Sequence, residues 1–170
     1  MRRMKILVFS DSHGVVRYMQ AAIDAQRPDR VFHLGDMMRD AMALHYAVPD
    51  LPMDGVCGNC DGWGAQPEEL LLDLCGHRVM LTHGHLYHVK SGLALAERTA
   101  REKGAEVLLF GHTHQPLVDR QGALWIMNPG SIRGWGMTTY GVLTLDREGI
   151  DCRIAVVDQE KGDARYADGN

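Results

Sequence analysis

Four cysteines in 170 residues are too few and too scattered for a disulfide framework, which fits a reducing compartment. Basic excess is also missing. The formal net charge is −4, and that mild acidity argues against a nucleic-acid surface, which would carry a basic stripe. A small anionic substrate stays open, because bound cations would reverse the local field. No apolar run approaches the ~20 residues of a membrane span. The run Ile6–Phe9 follows Arg2, Arg3 and Lys5 but is too short for the apolar stretch of a signal peptide, and it ends at Asp11. Together these absences point to a cytoplasmic address without membrane association. Repeats, low-complexity segments and internal linkers are absent too, so the expectation is one domain over 1–158. A polar tail, 159–170, is expected to fray.

What is present is an ordinary globular composition, 45% apolar and 24% charged. A chain of this length buries roughly two thirds of its unfolded surface, so it needs no staples. Short apolar runs read as strands over 5–10, 30–33, 53–57, 69–74, 77–81, 106–110, 117–120, 123–127, 140–146 and 149–157. Helical spacing appears over 15–23, ended by Pro28, then over 38–48 and over 92–103. In the last of these, Leu93, Leu95, Ala96 and Ala100 are expected inward. The first half alternates strand and helix and the second half is rich in strands. Two packed sheets with helices outside, a layered α/β sandwich, is the fold this implies.

The polar residues fall in a regular place. Asp11-Ser12-His13, Gly35-Asp36, Gly58-Asn59-Cys60-Asp61, His83-Gly84-His85 and Gly111-His112-Thr113-His114 each follow a strand, where open α/β sheets collect their ligands. Asp, His and Asn are oxygen and nitrogen donors, a mixed set that suits Mn, Fe or Zn better than an all-oxygen Ca or Mg cage. In an extended loop residues i and i+2 point to one side, so Asp11 and His13 can hold one metal. His112 and His114 can do the same, or a turn can send them to neighbouring metals. Asp36, with two carboxylate oxygens, is a natural bridge. Each cluster alone has a bland explanation as a helix cap or exposed loop histidine. Five in order, each after a strand, are poorly explained that way. Cys57-Gly58-Asn59-Cys60 has C-x-x-C spacing, but Cys75 and Cys152 lie too far off to complete a zinc site, so the spacing reads as coincidence.

The ordered set D-x-H, G-D, G-N-x-[DE], H-G-H and G-H-T-H resembles the calcineurin-like metallophosphoesterase superfamily. With Asn128-Pro129-Gly130-Ser131 added, it is similar to that superfamily's small prokaryotic phosphodiesterase branch, over almost the whole chain. The resemblance implies a four-layer α/β/β/α sandwich and two divalent metal ions, manganese first, with nickel, zinc or iron as alternatives. It implies Asp11, His13, Asp36 and His114 around one ion, and Asp36, Asn59, His83 and His112 around the other. It further implies hydrolysis of a phosphate diester by a hydroxide held between the ions, so no Ser or Cys nucleophile is required. Many superfamily members have histidine where this chain has Cys60, a weaker aid to the leaving group, although the nearer branch also has cysteine. Asn59, Cys60 and Asp61 are therefore the candidate catalytic residues beside the metals, with Asp61 a candidate to orient a water or another active-site group.

Ser131 and Arg133 are candidate phosphate contacts, the former with a purely structural turn as the competing reading and the latter for its planar fork. Trp63, Trp135 and Tyr87 are candidate walls for an aromatic or nucleobase group, with ordinary rim or subunit contacts as the competing reading. His85 is assigned no ligand role, and His33, His45, His77 and His88 are read as structural or exposed. The same fold resembles the retromer scaffold subunit, so a metal-binding interaction scaffold with little catalysis is the alternative function. The physiological substrate is not named by the residues, and homo-oligomers stay open.

Overall fold

The computed structural model describes residues 2–62 and 66–166. Its strands are β1 (Met4–Phe9), β2 (Arg30–His33), β3 (Met53–Gly55), β4 (Glu69–Leu74), β5 (His77–Thr82), β6 (Val107–Leu109), β7 (Leu117–Gln121), β8 (Leu124–Asn128), β9 (Thr139–Leu145) and β10 (Ile150–Val156). The helices are α1 (Arg17–Gln26), α2 (Met38–Ala47), α3 (Ala94–Glu102) and α4 (Gln159–Tyr166). The strands form two five-stranded sheets, ordered β10-β9-β1-β2-β3 and β4-β5-β6-β8-β7. In the first, β1, β2 and β3 run parallel; in the second, β5, β6 and β8 do.

Strand parity builds the layers. Ile6 and Val8 of β1 point into the core between the sheets, with Phe32, Val79, Leu81, Leu109 and Met127. Leu7 and Phe9 point the other way, onto Met19, Ala22 and Ile23 of α1 and Leu44 of α2. Burial on both faces explains why β1 reads as a continuous apolar run rather than an alternation. A third core lies between Met80, Leu108 and Ile126 on the second sheet and Ala96 and Ala100 of α3. Leu95 stays exposed, because a residue next to Ala96 on a helix faces about 100° away from it. The result is the α/β/β/α sandwich. Among the described residues no helix is long and apolar enough to cross a membrane.

The chain end departs from the expectation of a frayed tail. Gln159–Tyr166 is helical, and Asp163 accepts hydrogen bonds from Arg17 Nε at 2.8 Å and Tyr18 Oη at 2.7 Å. Gly162 lies so close to Tyr18 that a Cβ there would stand 2.8 Å from its ring. Polar composition was a poor guide because α4 docks through hydrogen bonds and close approach rather than an apolar stripe. Residues 167–170 and Trp63 lie outside the described residues.

One buried polar chain joins the first loop to its surroundings. Gly35 N–H donates to His33 Nδ1 at 3.1 Å, so the neutral ring carries its proton on Nε2, 3.0 Å from Ser12 Oγ. Ser12 Oγ donates to Asp40 Oδ2 at 2.7 Å, and Gly14 N–H donates to the same oxygen at 2.7 Å. His33 has no solvent exposure, and burial pushes its pKa down to about 4 against the pull of Asp40 and Asp11. The unfolded ring titrates near pH 6.5, so it binds its proton first as pH falls, and that favours unfolding. This contribution is complete above pH ~6.5 and declines as pH drops to about 4, by roughly 3 kcal/mol at about 1.4 kcal/mol per pH unit. Urea unfolding across that window measures the slope, and the His33→Gln variant is expected to flatten it.

Candidate metal centre

All five clusters follow parallel strands: β1, β2, β3, β5 and β6. Their carboxyl ends face one edge of the sandwich. Sheet geometry thus gathers residues separated by a hundred positions. Asp11 Oδ2 accepts the backbone N–H of His112 at 3.1 Å, a bond between loops of different sheets.

Asp11, His13, Asp36 and His114 offer ligand atoms within 4.8 Å of one another, and so do Asp36, His83 and His112. Asp36 belongs to both groups. Its Oδ2 lies 3.4 Å from His83 Nε2 and 4.0 Å from His13 Nε2, while its Oδ1 is held by the Cys60 N–H at 3.0 Å. Asn59 Oδ1 lies 3.1 Å from His83 Nε2. His112 and His114 fall in different groups, so of the two arrangements open to G-H-T-H the turn is the one adopted. The Asp11–His13 pair differs from the extended-loop expectation. Their φ values are 55° and 45°, left-handed, and it is this bend that turns both side chains to one place.

Left-handed backbone recurs at Asp36 (φ 56°), His112 (φ 69°) and His114 (φ 62°). Each such residue costs of order 1 kcal/mol or more and persists only where surroundings over-determine it. Those surroundings are visible. Asp61 accepts four backbone N–H groups: Asp36 at 2.9 Å, Met37 at 2.8 Å, Met38 at 2.7 Å and Gly58 at 2.7 Å. Both its oxygens are spent on the backbone, so Asp61 positions Asp36 and is not turned toward a water. Gly58 has to lack a Cβ, which would stand 2.2 Å from Asp36 Oδ1. Ser131 is similarly committed, its hydroxyl donating to the Asp11 carbonyl at 2.8 Å rather than facing outward. Asn128 Nδ2 donates to Gly111 O at 3.0 Å and Thr113 Oγ1 at 2.9 Å, holding the loop of His112 and His114.

The electrostatics ask for a cation. His83 Nδ1 must donate to the Leu34 carbonyl at 2.8 Å, so in the neutral ring Nε2 is a lone pair. That lone pair faces Asn59 Oδ1, Asp36 Oδ2 and, at 3.2 Å, His112 Nδ1. Asp11 Oδ1, 3.0 Å from His114 Nε2, and His13 Nε2 are shut off from solvent without a well-aligned hydrogen bond. Buried carboxylate oxygens and imidazole nitrogens converging this closely are costly unless a positive charge, a proton or a metal ion, joins them. Burial lowers the pKa of His83, yet the Asp36 hydrogen bond and the nearby carboxylates outweigh it and raise it overall. Burial would likewise raise Asp36, but hydrogen bonds from His83 and the Cys60 N–H hold its carboxyl well below the usual range. His112 and His114 are shifted down, mainly by burial, which keeps them neutral and free to ligate.

Lys90, which the sequence reading passed over, adds to the depression of His112, and Arg133 adds to that of His114. The positive charge of both side chains thus reaches the centre. Cys60 is exposed, and partial desolvation of its thiol together with the Asp36 charge raises its pKa, so it stays protonated. Cys57 is buried with its thiol on the Gln66 carbonyl; all four cysteines are free. Tyr87 does not line the centre. Its hydroxyl bonds Glu69, and burial with that carboxylate pushes its pKa up to about 12. His85 stands beside His83 with ring centroids 5.4 Å apart, in neither ligand group. Of the remaining histidines, His45 and His88 are exposed, and His77 bonds Glu106 and the Asp146 carbonyl.

Such a fold and such a cluster define a metal-binding hydrolase class, and comparison with known proteins agrees. Residues 4–148 match the family model for the calcineurin-like phosphoesterase superfamily domain. The probable metallophosphoesterase YsnB of Bacillus subtilis is 34% identical, covering 89% of this chain and 90% of that protein. The phosphodiesterase YfcE of Escherichia coli K12 is 28% identical, covering 84% and 89%. A phosphoesterase-like structure from Streptococcus pneumoniae superimposes with a TM-score of 0.78 at 28% identity, over 92% of this chain and 91% of that one. Vps29 from Entamoeba histolytica, at 17% identity and a TM-score of 0.73 over 90% and 99%, shares the fold. The chain belongs to the calcineurin-like phosphoesterase superfamily. Divalent-metal binding follows from that membership and from the ligand groups.

Asp61 gives the sharpest test of how this centre is supported. Asp61→Asn keeps the shape but turns one acceptor into a donor facing backbone N–H groups. Loss of charge-assisted bonds should cost roughly 2–4 kcal/mol of stability. Loss of support around the ligands should weaken cation affinity by roughly 10- to 100-fold. Urea unfolding and calorimetric titration with Mn check the two effects.

Proposed function

We propose that the chain is a metal-dependent phosphodiesterase that works with two divalent cations, manganese suiting its donors best. Asp11, His13, Asp36 and His114 would hold one, and Asp36, Asn59, His83 and His112 the other. One observation carries the reading: the Asp36 carboxylate stands within 4.8 Å of the ligand atoms of both groups, Asp11, His13 and His114 in one and His83 and His112 in the other. Bound there, such a pair supplies Lewis acidity and an activated water for attack on phosphorus.

The chain's own residues do the rest. Asp61 and Asn128 keep the ligand loops in register. Arg133 and Lys90 draw the anionic substrate toward the centre and offset its charge. Cys60 keeps its proton at neutral pH, but a thiol is a weak acid beside imidazolium. Leaving groups that need protonation are therefore served slowly and activated ones well. Preference for a diester draws support from the name YfcE carries.

Hydrolysis of bis-p-nitrophenyl phosphate beside p-nitrophenyl phosphate, in apo, Mn, Ni, Zn and Mg forms, tests the reading. Metal-dependent turnover favouring the diester is expected. Two metals bound with no turnover on either ester would instead support a scaffold. Asp36→Asn should reduce turnover by at least roughly a hundredfold, beyond what loss of an outer partner does, and release metal as well. Full turnover in that variant would defeat the two-metal reading. Cys60→His is expected to speed diesters with poor leaving groups while leaving p-nitrophenyl esters little changed, and leaving-group dependence of kcat measures it.

A further inference from the structure

The segment 131–138, between β8 and β9, is held at several points yet presents a large aromatic side chain to solvent. Gly134 (φ 87°) passes so near Tyr18 that a Cβ would stand 2.4 Å from its ring. Gln159 of α4 donates to Gly136 O at 2.9 Å and to Thr138 Oγ1 at 2.6 Å. Ser131 is tied to the Asp11 carbonyl at the loop's other end. Between these anchors Trp135 remains 76% exposed. An indole is a large apolar body whose burial would be favourable, so a fixed loop that holds it out forgoes that gain.

Arg133 lies over the Trp135 ring, its guanidinium carbon 3.9 Å from the centroid. The stack covers one indole face. Its N–H edges stay available, since among the described residues Arg133 makes no hydrogen bond, and those edges suit a phosphate. Arg133 also lies two residues beyond Ser131, whose hydroxyl holds the Asp11 carbonyl at 2.8 Å, so its loop borders the centre. The opposite indole face is open. A planar ring stacked there would sit about 3.5 Å beyond the indole, and so roughly 7 Å from the guanidinium. A phenyl group bonded directly to the phosphate is too short for that span. A ring set off by a sugar-sized spacer fits it.

We propose that Trp135 is a stacking platform for the base of a nucleoside phosphate ester whose phosphate Arg133 grips beside the metal centre. This names a substrate class for the phosphodiesterase reading and rests on it.

Equilibrium binding to the Mn-loaded protein tests the platform apart from turnover. The probes are thymidine 5′-monophosphate, phenyl phosphate, glycerol phosphate and inorganic phosphate, followed by calorimetry and tryptophan fluorescence. Thymidine monophosphate is expected to bind more tightly than the others and to quench Trp135 emission. Trp135→Leu should weaken it by roughly tenfold, within the range for one stacked base, and abolish that quenching. Glycerol phosphate and phosphate should change less than about twofold, and Trp135→Phe should keep most of the affinity for the nucleotide. The side chain is exposed, so these variants are expected to fold. Equal binding of thymidine monophosphate and glycerol phosphate would overturn the proposal, as would an unchanged ratio in Trp135→Leu. Equal binding of phenyl phosphate and the nucleotide would overturn the nucleoside assignment. Absence of bis-p-nitrophenyl phosphate hydrolysis would defeat the phosphodiesterase reading but would leave these affinities to decide the platform.

Discussion

His83 donates its Nδ1 proton to the carbonyl of Leu34, and the two groups belong to different sheets. The bond closes the sandwich at the edge where the parallel strands end. It also fixes the imidazole tautomer, so the other nitrogen must face inward as a lone pair. Asp36 Oδ2 and Asn59 Oδ1 crowd that lone pair with acceptors of their own. The raised pKa of His83 has the same origin, a proton on Nε2 being the smallest cation that answers the field. Metal affinity in this protein is thus built into a contact that also holds its two halves together.

The support around that contact is polar and mostly backbone-directed. Asp61, Asp40 and Asn128 act on main-chain or hydroxyl groups of neighbouring loops rather than on a substrate. Their work is to hold Asp11, His13, Asp36, His112 and His114 in left-handed conformations that those residues would not choose alone. A donor cluster drawn from the loops after β1, β2, β5 and β6 needs such anchoring, because loops otherwise sample many directions.

Legibility was uneven, for physical reasons. β2 and β4 were readable to the residue because apolar runs bounded by turns leave little ambiguity. α4 was misread as frayed because it docks by hydrogen bonds to Arg17 and Tyr18, which a polar composition hides. Among the site residues, Asp11, Asp36 and the histidines stand out by type and by place after strands. Asp61 read as a candidate to orient a water or another active-site group and Ser131 as a candidate phosphate contact, and only the fold shows their side chains turned to backbone partners. Lys90 carried no motif at all. A lysine after a short helical turn is ordinary until the turn is seen packed beside His112.

By itself, then, the order of residues determined the strand ends, the layered architecture and the donor atoms gathered at one edge. Those follow from local periodicity and from chemical type, both written residue by residue. The tertiary structure alone decided which donors come within 4.8 Å of one another, that His112 and His114 fall in different groups, and that Trp135 is held out on an anchored loop under Arg133. Those outcomes depend on distances between loops far apart in the chain, and no local pattern encodes such distances.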